Sequence, residues 1–243
     1  MKMEPKIIYE DEALMVLDKP AGWVVNDAAT TVGVPTVQGW IAKNYDYSLA
    51  RSVEHRSGIV HRIDKETSGI LLVAKAKTAF EALQAQFKER KVTKTYIALV
   101  HGKLEASEGI VNASVGRLPW RRDRFGVLPG GREAQTRYQV ETSLFKGEGE
   151  NREYFSLLRV SPKSGRTHQI RIHLQYLHHP IVGDSFYAGR KTSRNDRLWC
   201  PRLFLHAGEI VFSHPINGQR VSFSSQLPGD LQMVLGELQK DDK

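Results

Sequence analysis

The apolar run at positions 70–74 constrains the fold more than any other part of the chain. It reads Ile-Leu-Leu-Val-Ala and directly follows Gly69. A continuous apolar run of this length is typical of a β-strand that is covered on both faces. The chain of 243 residues is long enough for one large domain or two small ones around such a strand.

Further strands are predicted on both sides of this run. The β-type segments lie at 6–9, 13–17, 94–100, 134–141, 154–160, 203–212 and 220–224. An arginine-rich segment at 117–132 has no clear pattern and is predicted to be an irregular loop.

Single helices are predicted between the strands. They are expected around 37–41, from Thr78 to about Arg90, from beyond Gly165 to about Leu177, and at 230–238. Thr78 with Glu81 three residues later has the spacing of a capping box. The pattern predicts an α+β fold with a mostly antiparallel sheet, in a single domain over 1–243 whose last residues, 241–243, fray.

Composition narrows the class of protein. Lys and Arg total 35 against 27 Asp and Glu, so the net charge is +8, and a basic excess favours a polyanionic partner. Cys200 is the only cysteine, which excludes an internal disulfide and a multi-cysteine zinc site. The sequence has neither an apolar run of about 20 residues nor a signal-type N-terminus, so we expect a cytoplasmic protein without membrane spans.

The densest cluster of reactive side chains lies at 58–69, directly before the apolar run. It reads Gly-Ile-Val-His-Arg-Ile-Asp-Lys-Glu-Thr-Ser-Gly. A carboxylate at Asp64 would be held at the edge of the core, and Thr67 and Ser68 are expected to hydrogen-bond the loop backbone. The alternative is an ordinary turn in which Asp64 caps its own neighbours.

A second polar cluster lies at 164–173. If a helix begins after Gly165, Thr167 and Arg171 are four residues apart and share a face. That face could serve an active site, whereas the opposite face would pack on the sheet. The alternative is a surface helix whose Arg and His side chains are solvated.

These clusters resemble the motifs of the RluA-type RNA pseudouridine synthases. Residues 61–69 resemble the signature H-R-L-D-x-x-T-S-G, with Ile63 in place of the usual Leu. In chain order, residues 18–22, 94–102, 165–171, 179–184 and 205–207 resemble further motifs of that family. The resemblance extends over about 7–228 and implies a long mixed sheet with helices and loops flanking a basic cleft.

The resemblance implies isomerisation of specific uridines to pseudouridine, with no cofactor and no metal. It implies that Asp64 is the essential carboxylate, acting as a nucleophile on the sugar or as a base toward it. The two routes stay open. Tyr96 matches the family's active-site tyrosine, and Arg171 matches the basic partner that keeps Asp64 ionised.

The expected partner is structured RNA, either ribosomal or transfer RNA, bound by a monomer. The target uridine must flip out of the RNA stack, and Arg62 resembles the family arginine that braces the vacated space. The other predicted RNA contacts are Lys19, Arg166, His168 and the loop residues Arg121, Arg122 and Arg124, with Arg117, Arg132, Trp120 and Phe125 in the same loop.

Two other functions fit part of this pattern. A catalytically silent RNA-binding module would keep the fold and lose the reaction. A nucleic-acid glycosylase would also use a carboxylate, but it would leave the RNA lighter by one base. A zinc site formed by histidines such as His168, His173, His178 and His179 is disfavoured because no suitable Cys or carboxylate spacing accompanies them.

Overall fold

The computed structural model describes residues 3–241. Its strands are β1 (Lys6–Glu10), β2 (Leu14–Lys19), β3 (Ser68–Ala74), β4 (Thr93–His101), β5 (Glu108–Asn112), β6 (Val115–Leu118), β7 (Arg121–Val127), β8 (Gln135–Lys146), β9 (Glu153–Pro162), β10 (Leu205–Ser213), β11 (Arg220–Ser224) and β12 (Gln239–Lys240). Its α-helices are α1 (Val37–Asn44), α2 (Lys77–Lys88), α3 (Gln169–Tyr176), α4 (Arg190–Asp196) and α5 (Gly229–Gly236). The predicted α+β class with a large, mostly antiparallel sheet is confirmed.

The chain forms two compact units. Within residues 3–241, the first comprises 3–94 and 207–226, and the second comprises 95–206 and 227–241. The prediction that the whole chain acts as one catalytic domain stays a prediction.

The first unit is organised around β3, in which all seven residues are buried. β3 pairs antiparallel with β2, which pairs in turn with β1. The α2 helix packs on one face of these strands, where Phe80 and Leu83 meet Leu72 and Phe212. The apolar run at 70–74 therefore forms the buried strand that its sequence predicts.

The second unit is built on three long antiparallel strands. β9 pairs with β4 on one side and with β8 on the other, and β8 also pairs with β5 and β12. The α3 helix is almost wholly buried from Gln169 to Leu174. Its Ile172 packs with Val115, Ala134 and the ring of Phe125.

The segment at 117–132 corrects one prediction. Instead of an irregular loop, β6 and β7 form an antiparallel hairpin. The strands were not predicted because the segment is rich in arginine and has too few apolar residues to show the alternation typical of a strand. Phe125 and Val127 supply those contacts by packing against the Ile172 cluster.

Two helix starts also differ from the predictions. The N-cap of α2 is Ala76, without a side-chain hydrogen bond, so Thr78 lies inside the first turn and the predicted capping box is wrong. Glu81 instead pairs with Lys77 one turn earlier, at 3.9 Å. The α3 helix begins at Gln169, so Thr167 precedes it and does not share a helical face with Arg171.

The prediction that residues 241–243 fray is wrong for Asp241. The main-chain N–H of Asp241 donates to the Ser143 carbonyl at 2.9 Å, and its carboxylate pairs with Lys103 at 2.7 Å. The remaining residues of the predicted frayed end, 242 and 243, lie outside the described residues. Among residues 3–241, the helices are too short and too polar to cross a bilayer.

Candidate active site

The loop that carries Asp64 is fixed at both ends by glycines. Gly58 has a φ of 82° and Gly69 a φ of 106°, values at which a side chain is strained. A Cβ atom on Gly58 would lie 1.9 Å from the carbonyl oxygen of Ala74, and one on Gly69 would lie 2.3 Å from that of Ala207. The backbone at both ends is therefore packed against strands and cannot accept another residue.

Asp64 itself is half-buried on this loop. Its carbonyl oxygen accepts a hydrogen bond from the N–H of Thr67 at 3.2 Å, which closes a turn. The Thr67 side chain is 1% exposed, and its hydroxyl makes no hydrogen bond within residues 3–241. The expectation that this hydroxyl binds the loop backbone is thus wrong.

Lys19, the last residue of β2, holds the Asp64 loop in place. Its side chain is 0% exposed. The ammonium donates to the carbonyl oxygens of Pro20 and Trp23 at 3.0 Å and to that of Lys65 at 3.2 Å. The N–H of Gly22 donates to the same Lys65 oxygen at 2.7 Å. The predicted phosphate contact of Lys19 is therefore wrong, because its head group is buried among main-chain acceptors.

His61 anchors the start of the same loop to β3. Its Nε2 accepts a hydrogen bond from the N–H of Leu72 at 2.9 Å, and its ring stacks on Phe87 with centroids 5.0 Å apart. Burial, with the charge of Lys94 as a second cause, lowers the pKa of His61 to about 3. The neutral ring is the form that can accept the Leu72 hydrogen bond. Burial also lowers the pKa of Lys94 to about 8.

Arg171 is held rigidly in the second unit. Its Nε and Nη2 donate to the two carboxylate oxygens of Asp184 at 2.7 and 2.9 Å. Asp184 is 0% exposed, and its Oδ1 also accepts the N–H groups of Phe186 and Tyr187. The guanidinium lies 5.1 Å from the centroid of the Tyr187 ring. Its side-chain direction is thus set by a bidentate pair and an aromatic face.

Gln169, which was not among the predicted site residues, organises the start of α3. Its Nε2 donates to the Gln135 carbonyl and to the Thr136 hydroxyl, and its Oε1 accepts from Ser164 and from the N–H of Arg166. It is 3% exposed. Its place in the motif-like segment 165–171 is the only signal that could have found it, because two of its partners, Gln135 and Thr136, lie more than 30 residues away in sequence.

Comparison with known proteins agrees with these motifs. A family model described as RNA pseudouridylate synthase matches residues 13–176. A protein of Bacillus subtilis strain 168 named as an RNA pseudouridine synthase is 38% identical over 240 residues, covering 98% of this chain and 74% of that protein. The chain belongs to this family. The synthase is thus an enzyme of the isomerase class.

Relatives and solved structures extend the comparison. The ribosomal large subunit pseudouridine synthase D of Nitrosomonas europaea is 38% identical over 238 residues, covering 95% of this synthase and 64% of that protein. The human RNA pseudouridylate synthase domain containing 1 shares the fold, with a TM-score of 0.74 at 24% identity, covering 98% of this chain and 89% of that one.

The three predicted catalytic residues of the synthase are distributed over both units. Asp64 lies in the first unit, whereas Tyr96 on β4 and Arg171 on α3 lie in the second. Tyr96 is 8% exposed and stands opposite Val160 of β9. That these three residues form one site stays a prediction.

The predicted RNA contacts differ in how much of each side chain is available. Arg62, Arg121 and Arg122 are exposed. Arg124 donates to the carbonyl of Phe186 and lies over that ring, 5.6 Å from its centroid. The Arg166 Nε donates to the Glu133 carbonyl at 3.2 Å.

His168 is held by aromatic neighbours. Its Nδ1 lies 2.9 Å from the Tyr187 hydroxyl, and it has a positive φ of 55°. The Nδ1 of His179 lies 2.7 Å from the His101 carbonyl oxygen, and both ring nitrogens of His173 are hydrogen-bonded. Residues 3–241 contain no group of three or more His, Cys, Asp and Glu side chains that could hold a metal ion.

Proposed function

We propose that this synthase converts specific uridines of structured RNA to pseudouridine and that Asp64 is its essential carboxylate. One observation carries the proposal: Asp64 is half-buried on a loop that glycines, Lys19 and His61 hold in place. A reactive carboxylate needs this combination of fixed geometry and access.

The reaction exchanges one bond for another without adding or removing a group. The bond from the ribose C1′ to the uracil N1 breaks, the base turns, a bond forms from C1′ to C5, and the proton on C5 is lost to solvent while N1 gains one. Ionised Asp64 either attacks the sugar carbon or takes a proton from the sugar. Both routes need a carboxylate and leave the mass of the RNA unchanged.

Tyr96 and Arg171 have supporting roles in this proposal. The Tyr96 ring stacks on the uracil, and its hydroxyl assists removal of the C5 proton. Arg171 favours the ionised form of Asp64 through its positive charge. The Asp184 pair fixes that guanidinium before the substrate arrives.

RNA binding has to offset the cost of extruding the uridine, which is a few kcal/mol. Arg62, two residues before Asp64, is exposed and fills the space that the extruded uridine leaves in the RNA stack. The tip of the β6–β7 hairpin supplies further contacts, because Arg121 and Arg122 are exposed and Trp120 between the strands is 74% exposed. Aromatic and cationic side chains together suit single-stranded or unstacked RNA.

Large-subunit ribosomal RNA is the first candidate substrate. The relatives from Nitrosomonas europaea and Vibrio parahaemolyticus are named ribosomal large subunit pseudouridine synthases D and C. Transfer RNA is the second, and both belong in the assay.

The test is tritium release from C5-labelled uridine in transcripts of large-subunit ribosomal RNA and of transfer RNA. We expect release with the unchanged protein and at least about a thousandfold slower release with Asp64→Asn, which keeps the shape and removes the charge. Glu66→Gln, a half-buried carboxylate on the same loop, is the matched control and should stay within about threefold of the unchanged protein.

The product separates this reaction from its alternatives. Nucleoside mass spectrometry should find pseudouridine in RNA of unchanged mass. RNA lighter by one base would indicate a glycosylase. RNA binding by folded protein without tritium release from either transcript would indicate a silent RNA-binding module and contradict the proposal.

A further inference from the structure

The α4 helix carries a concentration of positive charge outside the predicted site residues. Its sequence, Arg-Lys-Thr-Ser-Arg-Asn-Asp, contains three cations. Arg190, Lys191 and Arg194 are all exposed. Residues three and four positions apart are neighbours on a helix, so Arg194 lies beside both of the others.

The one acidic residue of α4 points inward. Asp196 is 2% exposed, and its Oδ2 accepts the N–H of Gly183 at 2.8 Å and lies 3.1 Å from the Nε2 of His101. Its carbonyl oxygen accepts the N–H of Cys200 at 2.7 Å. This carboxylate therefore anchors the helix and does not neutralise the outer face.

The outward charges are unfavourable for the helix by itself. Like charges at these spacings repel, and cations in the first turn oppose the helix dipole, where no acidic residue compensates them. Within residues 3–241, no carboxylate forms an ion pair with Arg190, Lys191 or Arg194. A polyanion on this face would relieve all of these effects.

The same segment of chain links α4 to the arginine hairpin. Arg124 of β7 binds the Phe186 carbonyl, and α4 begins four residues after Phe186. Asp184, at the start of this segment, also fixes Arg171. Two basic elements of the second unit are therefore attached to one ordered stretch, 184–190.

We propose that the exposed face of α4 is a second RNA-docking surface, which binds phosphates of the RNA backbone through Arg190, Lys191 and Arg194. The inference rests on the proposed function, since it takes RNA as the substrate. These residues touch no base in this proposal, so they contribute affinity without sequence preference. The reaction at the target uridine should not depend on them once RNA is bound.

The test compares Arg190→Gln/Lys191→Gln/Arg194→Gln with a control that removes three exposed cations from the first unit, Lys43→Gln/Lys88→Gln/Arg220→Gln. Both variants change the net charge equally. Binding to a transcript of large-subunit ribosomal RNA is measured across a salt series, and turnover is measured at saturating RNA. We expect the α4 variant to bind at least about tenfold more weakly at physiological salt and to lose roughly 2–3 from the slope of log K against log[salt].

The control and turnover decide the outcome. The control variant should keep its affinity within about threefold, and the α4 variant should keep its rate at saturating RNA. Equal weakening in both variants would show a net-charge effect and overturn the proposal, as would unchanged affinity of the α4 variant. If the unchanged protein binds this RNA but releases no tritium from any RNA, the proposed function fails, while the binding comparison still tests α4.

Discussion

The Lys19 ammonium is fully buried and donates to three main-chain oxygens, one of them in the Asp64 loop. Lys19→Met keeps the length of the side chain and removes the ammonium from all three oxygens, of which the Lys65 oxygen still accepts the N–H of Gly22. We expect it to lower the free energy of unfolding by about 2–4 kcal/mol and to slow turnover at saturating RNA. Urea denaturation and single-turnover kinetics measure the two effects.

The exposed neighbour Lys65 offers a control, since Lys65→Met should leave stability nearly unchanged. An unaltered free energy of unfolding in Lys19→Met, together with weaker RNA binding, would contradict the structural role and support the phosphate contact first expected of Lys19.

His61 makes stability depend on pH. Its pKa of about 3 in the folded protein lies below the ordinary value of about 6.5, so the unfolded chain binds the proton more readily. The contribution of neutral His61 to the free energy of unfolding is therefore complete above pH 6.5 and is lost as the pH falls toward 3. We expect His61→Gln, which keeps an acceptor for the Leu72 N–H, to reduce the acid sensitivity of unfolding by about 1 kcal/mol per pH unit between pH 6 and 4.

Urea denaturation at several pH values checks this expectation. His178→Asn is the control, because His178 is exposed and has a positive φ of 65°, which Asn tolerates. Parallel stability curves for the unchanged protein and His61→Gln would show that His61 titrates normally.

Two aromatic residues of the β6–β7 hairpin have different expected roles, one in RNA binding and the other in stability. Trp120 at its tip is 74% exposed, whereas Phe125 packs on the Ile172 cluster and lies under Arg117 at 4.9 Å. We expect Trp120→Ala to weaken RNA binding by about 5- to 100-fold, from the loss of one stacked base, with the melting temperature unchanged.

Phe125→Ala, by contrast, should lower the melting temperature, because it removes an apolar contact with the Ile172 cluster. Fluorescence anisotropy with labelled RNA and thermal melts distinguish the two variants. If Trp120→Ala binds RNA as tightly as the unchanged protein, the hairpin tip does not stack on RNA.

The connection between α3 and the segment that follows it depends on the buried pair of Arg171 and Asp184. Asp184→Asn removes the countercharge and leaves a buried guanidinium, so we expect a loss of about 3–5 kcal/mol in the free energy of unfolding. Urea denaturation measures it, with Asp123→Asn on the exposed hairpin as a control. A change below about 1 kcal/mol would mean that water or another group replaces Asp184.

At the scale of the whole molecule, the net charge of +8 predicts RNA binding that weakens with salt. If roughly four to six phosphates are neutralised, the dissociation constant should rise by about 10²- to 10³-fold between 50 and 200 mM salt. Filter binding across a salt series measures the slope. A dissociation constant that does not vary with salt would contradict a phosphate-dominated interface.

Features that depend on neighbouring residues were predictable from the chain alone. The buried strand β3 follows from five consecutive apolar residues, and the α+β class follows from the alternation of short patterns. The place of Asp64, on a glycine-bounded loop before that strand, follows from the same local order. Apolar periodicity and the backbone preferences of glycine depend on residues that are close together in the chain, so the sequence alone is enough to predict them.

Only the tertiary structure decided which polar side chains are available. Lys19 and Lys65 are both cations in motif-like segments, yet one is buried and the other exposed because residues 46 positions apart meet. The arginine-rich segment became a hairpin because Phe125 meets Ile172 of a distant helix, and Arg171 was fixed by Asp184. Burial and pairing are set by long-range packing, and the free energy of a charge depends on those surroundings more than on its identity.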